Sequence, residues 1–228
     1  MSAAAPASSR LREGAIQALY IAHRLMGKLS GGHARIVPYS FVAQPLAAQA
    51  YPALRPDPQQ VVRRVGPEDP LVREFPRPPE VIARRFAAGH ECHVITVKGE
   101  FAGYIWIAKG HYLEDEIRCD YRLAAPRRCV WDYDVYVVPR YRLGRTMGRL
   151  WSAVAQGLRD EGHAWTLSRI SMFNEASLKS HGRLGARRLG WALFLRLGPL
   201  QFALLGRRPH VGWRAVPVLD FALPDDGP

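Results

Sequence analysis

The stretch Asp134-Val-Tyr-Val-Val-Pro-Arg-Tyr-Arg142 marks a change of period in the sequence. Up to Val138 the residues have the β-branched and aromatic character of a strand, and Pro139 ends that pattern. Beyond the stretch, apolar residues recur at the spacing of one helical face, at Met147, Leu150, Trp151, Val154 and Leu158. The sequence therefore predicts a strand that passes directly into a helix.

This strand-to-helix passage predicts an anion-binding site. The first N–H groups of a helix lack partners within the helix, and the helix dipole favours negative charge at that end. Gly144 and Gly148 would let the backbone approach a ligand closely, and Arg142, Arg145 and Arg149 add positive charge. A diphosphate with a further ribose phosphate, as in coenzyme A, suits such an end. The alternative is an exposed arginine face on an ordinary helix.

Outward from this passage, the hydrophobic periods predict an α+β protein with a mixed sheet. The predicted strands are 61–65, 92–97, 101–108, 129–138, 165–170, 188–197 and one near 213–219. Further helices are predicted at 79–88 and 174–184. The strands 92–97, 101–108 and 129–138 are expected to form three antiparallel strands in a row, with a long excursion at 110–125.

The N-terminal part is predicted to be an extension of the main domain. A helix at 14–29 and a strand at 36–43 precede a segment with prolines and little periodicity. We therefore expect residues 1–58 to form a tail, helix and connector, and residues 59–228 to form the main domain.

The composition and net charge of the chain indicate which kinds of molecule the protein binds. The chain has 228 residues and a formal net charge of +12, mostly from arginine, whose planar fork binds phosphate and carboxylate. The arginines are spread over many segments and are not interleaved with aromatic residues as in a nucleic-acid-binding module. Cys92, Cys119 and Cys129 have no CxxC spacing, and no apolar stretch reaches the ~20 residues of a membrane span. We expect a cytoplasmic protein with an anionic partner, no nucleic acid and no metal.

Two stretches of the sequence resemble the GNAT superfamily of acyl-CoA-dependent N-acyltransferases. The opening stretch looks like the family's fourth strand and pyrophosphate loop, and Asn174-Glu-Ala-Ser-Leu-Lys-Ser-His-Gly-Arg-Leu-Gly185 looks like its late helix. The element order from about Gln59 to Leu219 also resembles the GNAT fold. The resemblance implies a mixed, mostly antiparallel sheet flanked by helices, with an N-terminal helix and strand extension.

The resemblance also implies acetyl-CoA or another acyl-CoA as co-substrate. Its implied cofactor-binding residues are Val137, Arg142, Leu143, Gly144, Arg145, Thr146, Gly148, Asn174 and Ser177. The loop departs from the family's pattern, because counting from Arg142 places Arg145 and Met147 where small residues belong. Phosphate binding by the loop is therefore a firmer expectation than any one contact within it.

Acyl transfer to an amine needs a group that accepts the amine's proton and a group that protonates the departing thiolate. Strand alternation predicts Asp132, Asp134 and Tyr136 on one face, where they could bind the amine or take its proton. Asp134 stands where the resembling family often has a carboxylate base, so we assign it that role. A salt-bridged pair of carboxylates without a catalytic role is the alternative.

The late helix offers a proton donor. Asn174, Ser177 and His181 share a helical face by their spacing. His181 falls where the family commonly has a tyrosine that protonates the thiolate, and an imidazole can donate a proton near neutral pH. A partly exposed histidine at the end of a helix is an equally good reading.

Two further segments concern the substrate. Glu114 belongs to a polar run on the 110–125 excursion, where a substrate-contacting loop would lie, although such runs are more often just solvated. The apolar segment 191–205 could line a tunnel for a long acyl chain, rest on a membrane surface or pair in a homodimer.

Three functions remain open at this point. The first is an N-acetyltransferase that acts on a small-molecule or protein amine in a ternary complex. The second uses long acyl chains from CoA or an acyl carrier protein, as N-acyl amino acid and homoserine-lactone synthases do. The third is a non-catalytic binding module.

Overall fold

The computed structural model describes residues 7–51, 54–114, 116–205, 208–212 and 216–223, with side chains described from residue 14 onward except at 208–212. The helices are α1 (Ala7–Leu29), α2 (Pro79–Ala87), α3 (Thr146–Asp160) and α4 (Glu175–Arg183). The first six strands are β1 (Ala34–Pro45), β2 (Gln60–Val65), β3 (Glu91–Val97), β4 (Glu100–Ala108), β5 (His111–Leu113) and β6 (Asp120–Leu123). The last six are β7 (Cys129–Val137), β8 (Trp165–Ser171), β9 (Arg187–Leu197), β10 (Leu200–Leu205), β11 (Arg208–Gly212) and β12 (Val218–Phe221).

Nine strands form one large sheet in the order β11-β10-β9-β1-β8-β7-β4-β3-β2, and β12, β6 and β5 form a small second sheet. Within the large sheet the described pairs are antiparallel except β7 with β8. The predicted α+β class with a mixed, mostly antiparallel sheet is confirmed. The fold is GNAT-like in its order of elements from β2 to β9.

The N-terminal strand β1 lies inside the large sheet. It pairs antiparallel with β8 along one edge and with β9 along the other. The sheet therefore crosses the boundary that the sequence predicts at residue 58. Sequence periodicity shows that a strand exists at 36–43, but it cannot show that the strand pairs with partners more than a hundred residues away.

The large sheet is covered on both faces. We call the face against which α3 packs the front face, and its core includes Ile105, Ile107, Val130 and Leu150. The back face carries a separate core, which includes Tyr104, Trp106, Trp131 and side chains of α2 and the small sheet. Because both faces are covered, β4 is buried at every position from 101 to 108, which explains its nearly continuous apolar sequence.

Most predicted elements lie within two residues of the observed ones, and the three antiparallel strands in a row are β3, β4 and β7. The helix predicted at 14–29 begins earlier, at Ala7. The 110–125 excursion contains two short strands, β5 and β6, that the sequence analysis missed, as it missed β10 and β11. The strand predicted near 213–219 corresponds in part to β12, and its residues 213–215 lie outside the described residues.

One sequence prediction about β7 is wrong. Asp132 and Asp134 do not share a face, because Asp134 has a positive φ of 45° and the pairing of β4 with β7 shifts register between Tyr104 and Trp106. This is a β-bulge, which reverses the alternation beyond it. Asp132 faces Ile107 on the front face, whereas Asp134 contacts Tyr104 in the back-face core.

Candidate functional site

The site lies where the two parallel strands separate. β7 and β8 pair only from Cys129 with Trp165 to Trp131 with Leu167, although both strands continue beyond these residues. The outer edges stay bound, β7 to β4 as far as Val137 and β8 to β1 as far as Ser171. The result is a split between two supported strands, which leaves inner backbone groups open to a ligand.

Close approach of β4 at the bulge depends on a glycine. A Cβ atom at Gly103 would clash with the carbonyl oxygen of Tyr136. Gly103 pairs with Val137, so it sits beside the last residue of β7 before the chain turns towards α3. Any side chain at Gly103 would push β7 away and alter the split.

A cavity of about 980 Å³ opens at the split. Its walls come from the ends of β7 and β8, the first turns of α3, one side of α4 and residues 50 and 51 of the connector. The lining contains Asp132, Val135, Arg142, Gly148, Ser177 and His181, which the sequence analysis had placed on three separate elements. The structure thus brings the predicted phosphate loop and the late helix to one cleft.

The N-terminus of α3 forms one end of the cleft and suits an anion. Arg145 stands at the N-cap with no capping side chain, and the first turn of the helix contains no acidic residue. Arg142 lines the cleft and donates from Nε to the carbonyl oxygen of Val137 at 2.9 Å. The uncapped N–H groups and the arginine together favour a phosphate.

Of the other predicted cofactor residues, Asn174 also lines the cleft, whereas the lining does not include Val137, Leu143, Gly144, Arg145 and Thr146. Thr146 is buried, whereas the Leu143 side chain is fully exposed and Gly144 is exposed on the turn. Asn174 accepts the N–H of Ser177 at 3.1 Å and so caps α4. Arg149 points away from this end, because it donates to the carbonyl oxygen of Arg55 and pairs with Asp57 at 3.5 Å. Both contacts tie α3 to the connector.

Asp132 is buried at the base of the split. The hydroxyl of Ser168 on β8 lies 2.7 Å from each of its carboxylate oxygens. Burial raises the pKa of Asp132 above its usual value, while the charge of His181 and the hydrogen bond from Ser168 lower it. A carboxylate with a raised pKa is a better proton acceptor than an exposed one at neutral pH.

Asp134 has a different environment. Its oxygens accept from the guanidinium groups of Arg77 and Arg85 and, at 3.2 Å, from the hydroxyl of Tyr104. The side chains of Arg85 and Asp134 are both almost completely buried, and the Arg85 guanidinium also packs 5.1 Å from the ring centre of Tyr133. This ion pair fastens α2 and the loop before it to the bulge of β7.

His181 lies on the inner side of α4 and lines the cleft. Among the residues that the structure describes, its buried Nδ1 atom has no hydrogen-bond partner. An unpaired buried nitrogen is costly unless a ligand or water completes it. His181 and Asp132 therefore line the same cleft, and the Nδ1 atom of His181 is left for a further partner.

The remaining predicted substrate residues lie away from the base of the split. Glu114 is buried in an ion pair with Arg169 and also accepts the hydroxyl of Tyr112 at 3.3 Å. Tyr136 packs against Phe101 and Tyr104 on the back face, in the same region as Asp134. Neither residue lines the cleft.

Tyr51 and Ser168 are among the residues of the cleft that sequence reasoning missed. Tyr51 comes from the connector and stacks on Trp151 of α3 with ring centres 5.8 Å apart. Burial raises its pKa, and the negative charge of Asp132 raises it further. Ser168 was a plain strand residue in the sequence. The only feature of the sequence that could have indicated a role for Ser168 in the site is its place on the strand that follows α3, next to the predicted phosphate loop.

Comparisons with known proteins concern the fold. No family model and no curated protein matches the chain. Among solved structures, a functionally unknown conserved protein from Staphylococcus epidermidis is 12% identical with a TM-score of 0.51, over 77% of this chain and 67% of that one. This likeness shows a shared fold alone.

Two acetyltransferases are weaker neighbours. A putative GNAT-family acetyltransferase from Novosphingobium aromaticivorans is 16% identical with a TM-score of 0.45, over 72% of this chain and 66% of that one. An acetyltransferase from Trypanosoma brucei is 20% identical with a TM-score of 0.39, over 56% and 92%. These two likenesses are too distant to carry an argument about function. Within the described part of the chain, no helix has the length and apolar character needed to cross a membrane.

Proposed function

We propose that the protein is an N-acyltransferase that moves an acyl group from acyl-CoA to a primary amine by direct attack in a ternary complex. The observation that carries the proposal is the split between β7 and β8, which has an uncapped helix end at one side and Asp132 and His181 in its lining. The CoA phosphates would bind at the N-terminus of α3 beside Arg142. The pantetheine arm would then run along the open inner edge of β7.

Asp132 is the base in this proposal, in place of Asp134. Asp134 also borders the cleft, but both of its oxygens are engaged by guanidinium groups. Asp132 lines the cleft with a raised pKa and, within the described part of the chain, without an ion pair to an arginine. The amine nitrogen attacks the thioester carbonyl carbon and loses a proton to the Asp132 carboxylate, directly or through a water. Asp134 becomes a positioning residue, because its ion pair holds the bulge that follows Asp132 at the start of the split.

His181 supplies the second proton. The C–S bond breaks as the amide forms, and the imidazolium of His181 donates its proton to the departing CoA thiolate. Its unpaired Nδ1 and its place in the cleft lining support this role. The negative charge of Asp132 raises the pKa of the Tyr51 hydroxyl. Tyr51 also lines the cleft, where it would help to close the cleft over the ligand.

The first test is binding of CoA itself. Isothermal titration with CoA, acetyl-CoA and desulpho-CoA should give similar affinities, because the phosphates bind in the same place in all three. Release of the free CoA thiol from acetyl-CoA should then require a primary amine, which is supplied as a panel of amino acids, amino sugars and peptides. Absence of binding by all three CoA species would rule out the proposal.

A further inference from the structure

A second cavity, which we call the apolar groove, lies beside the cleft. It has a volume of about 720 Å³ and lies between α1, β1, β9 and α4. A cavity of this size can hold a drug-sized ligand. Its largest apolar lining residues are Ile16, Leu19, Met172, Leu178, Trp191 and Leu193. No residue of the proposed phosphate end takes part in it.

The apolar groove and the cleft share one residue, His181, which lines both cavities. Helix α4 separates them, with Ser177 and Ser180 towards the cleft and Leu178 and Gly182 towards the groove. A group attached to an atom near His181 can therefore reach either cavity. In the proposed reaction, the sulfur that His181 protonates carries the acyl group.

The chemistry of the groove favours a hydrocarbon over an amine. Among the side chains that the structure describes, its lining contains no carboxylate, and its positive charge comes from Arg188 and from His181 when that residue is protonated. A protonated amine acceptor would find no opposite charge there and would meet a like charge. Hydrocarbon, by contrast, gains from burial against leucine, isoleucine and tryptophan side chains.

We propose that the apolar groove binds the acyl chain of a medium- or long-chain acyl-CoA donor. This inference rests on the proposed function and specifies its substrate class. Part of the apolar segment 191–205 supplies a wall, through Trp191 and Leu193, while α1 supplies the facing wall. The N-terminal helix is thus part of the donor site and determines the chain length that the protein accepts.

The test is a chain-length series measured by isothermal titration with acetyl-, butyryl-, hexanoyl- and octanoyl-CoA. Each buried methylene should tighten binding about fourfold, so octanoyl-CoA should bind at least tenfold more tightly than acetyl-CoA. Acetyl-CoA binding without chain-length dependence would overturn this inference and leave the proposed function intact. Failure of every CoA species to bind would overturn both.

A matched pair of variants tests whether the acyl chain binds in the apolar groove. Gly182 in α4 and Gly157 in α3 are exposed helical glycines, and a Cβ atom meets nothing within 4 Å at either. Gly182→Leu fills the groove and should lower the octanoyl-to-acetyl affinity ratio at least fivefold, with acetyl-CoA affinity within twofold of wild type. Gly157→Leu should keep the wild-type ratio. An unchanged ratio in folded Gly182→Leu protein would contradict the inference.

A second variant tests the same inference in case the Gly182→Leu protein does not fold. Leu19→Asn makes one wall of the groove polar without filling it, and Leu19 is only partly buried on α1. The octanoyl-to-acetyl affinity ratio should again fall at least fivefold. If both the ratio and the acetyl-CoA affinity match wild type in Leu19→Asn, the acyl chain does not bind in the groove.

Discussion

The hydroxyl of Ser168 lies 2.7 Å from both carboxylate oxygens of Asp132, one residue beyond the last paired residues of β7 and β8. The backbone pairing of β7 with β8 ends one residue earlier, and this side-chain contact is the next link between the two strands. It therefore lies at the base of the split. It also fixes the orientation of a carboxylate that the surrounding core would otherwise disfavour. The position of Asp132 is therefore set by both strands that form the cleft.

Asp132→Asn should abolish most of the acyl transfer. The amide has the same shape but cannot accept the amine's proton, so kcat/KM should fall by about 10²- to 10⁴-fold. Donor affinity, measured by titration with CoA, should stay within about twofold. Ser168→Ala serves as the control, because it removes the orienting hydroxyl and leaves the base, so its loss should be smaller. Wild-type kcat/KM in Asp132→Asn would exclude Asp132 as the base.

The pH profile should report the burial of Asp132. Its pKa is raised by burial, so the acidic limb of kcat/KM should lie above the value of about 3.9 for an exposed aspartate. The charge of His181 lowers this pKa, so its loss in His181→Gln should move the acidic limb of the residual activity to higher pH. A limb that stays in place would show that His181 does not act on the group that titrates.

Asp134→Asn tests a structural role against a catalytic one. Removing one partner of the buried ion pair with Arg85 should lower the free energy of unfolding by about 3–5 kcal/mol, measured by urea denaturation. The acidic limb of kcat/KM in the folded fraction should not move. Glu100→Gln is the matched control, because its pair with Arg140 is exposed on both sides and should contribute about 1 kcal/mol or less. Loss of the acidic limb in Asp134→Asn would restore Asp134 as the base.

Local features of the sequence were predictable, and long-range ones were not. The passage into α3 and the late helix after Asn174 follow from short-range patterns of strand period and helical period. The bulge at Asp134 gave no signal, because a non-glycine residue with positive φ has no reliable sequence mark. That single dihedral angle moved one carboxylate to the other face. Tyr51 was missed because its connector has no period from which a contact could be inferred.

Arg142→Ala should weaken donor binding without affecting the chemical step. Arg142 lines the cleft at the helix end, so we expect the Kd for CoA to rise about tenfold, or about 1.4 kcal/mol, in low salt. The increase should shrink as ionic strength rises, since screening weakens contacts between partly exposed charges. Arg140→Ala is the control, because this neighbour on the same turn pairs with Glu100 at 2.6 Å and does not line the cleft. Equal effects of the two substitutions would place the phosphates elsewhere.

Two N-terminal truncations should separate the roles of β1 and α1. A chain that begins at Gln59 lacks β1, so β8 and β9 lose the strand that pairs with both of them in the middle of the large sheet. We expect this chain to aggregate or to lack a cooperative unfolding transition, because two exposed inner edges promote pairing with other chains. A chain that begins at Gly31 keeps β1 and loses only α1, so it should unfold cooperatively at a lower temperature. Circular dichroism melts of both chains make the comparison, and a soluble, cooperatively folded 59–228 fragment would establish the independent domain that the sequence predicts.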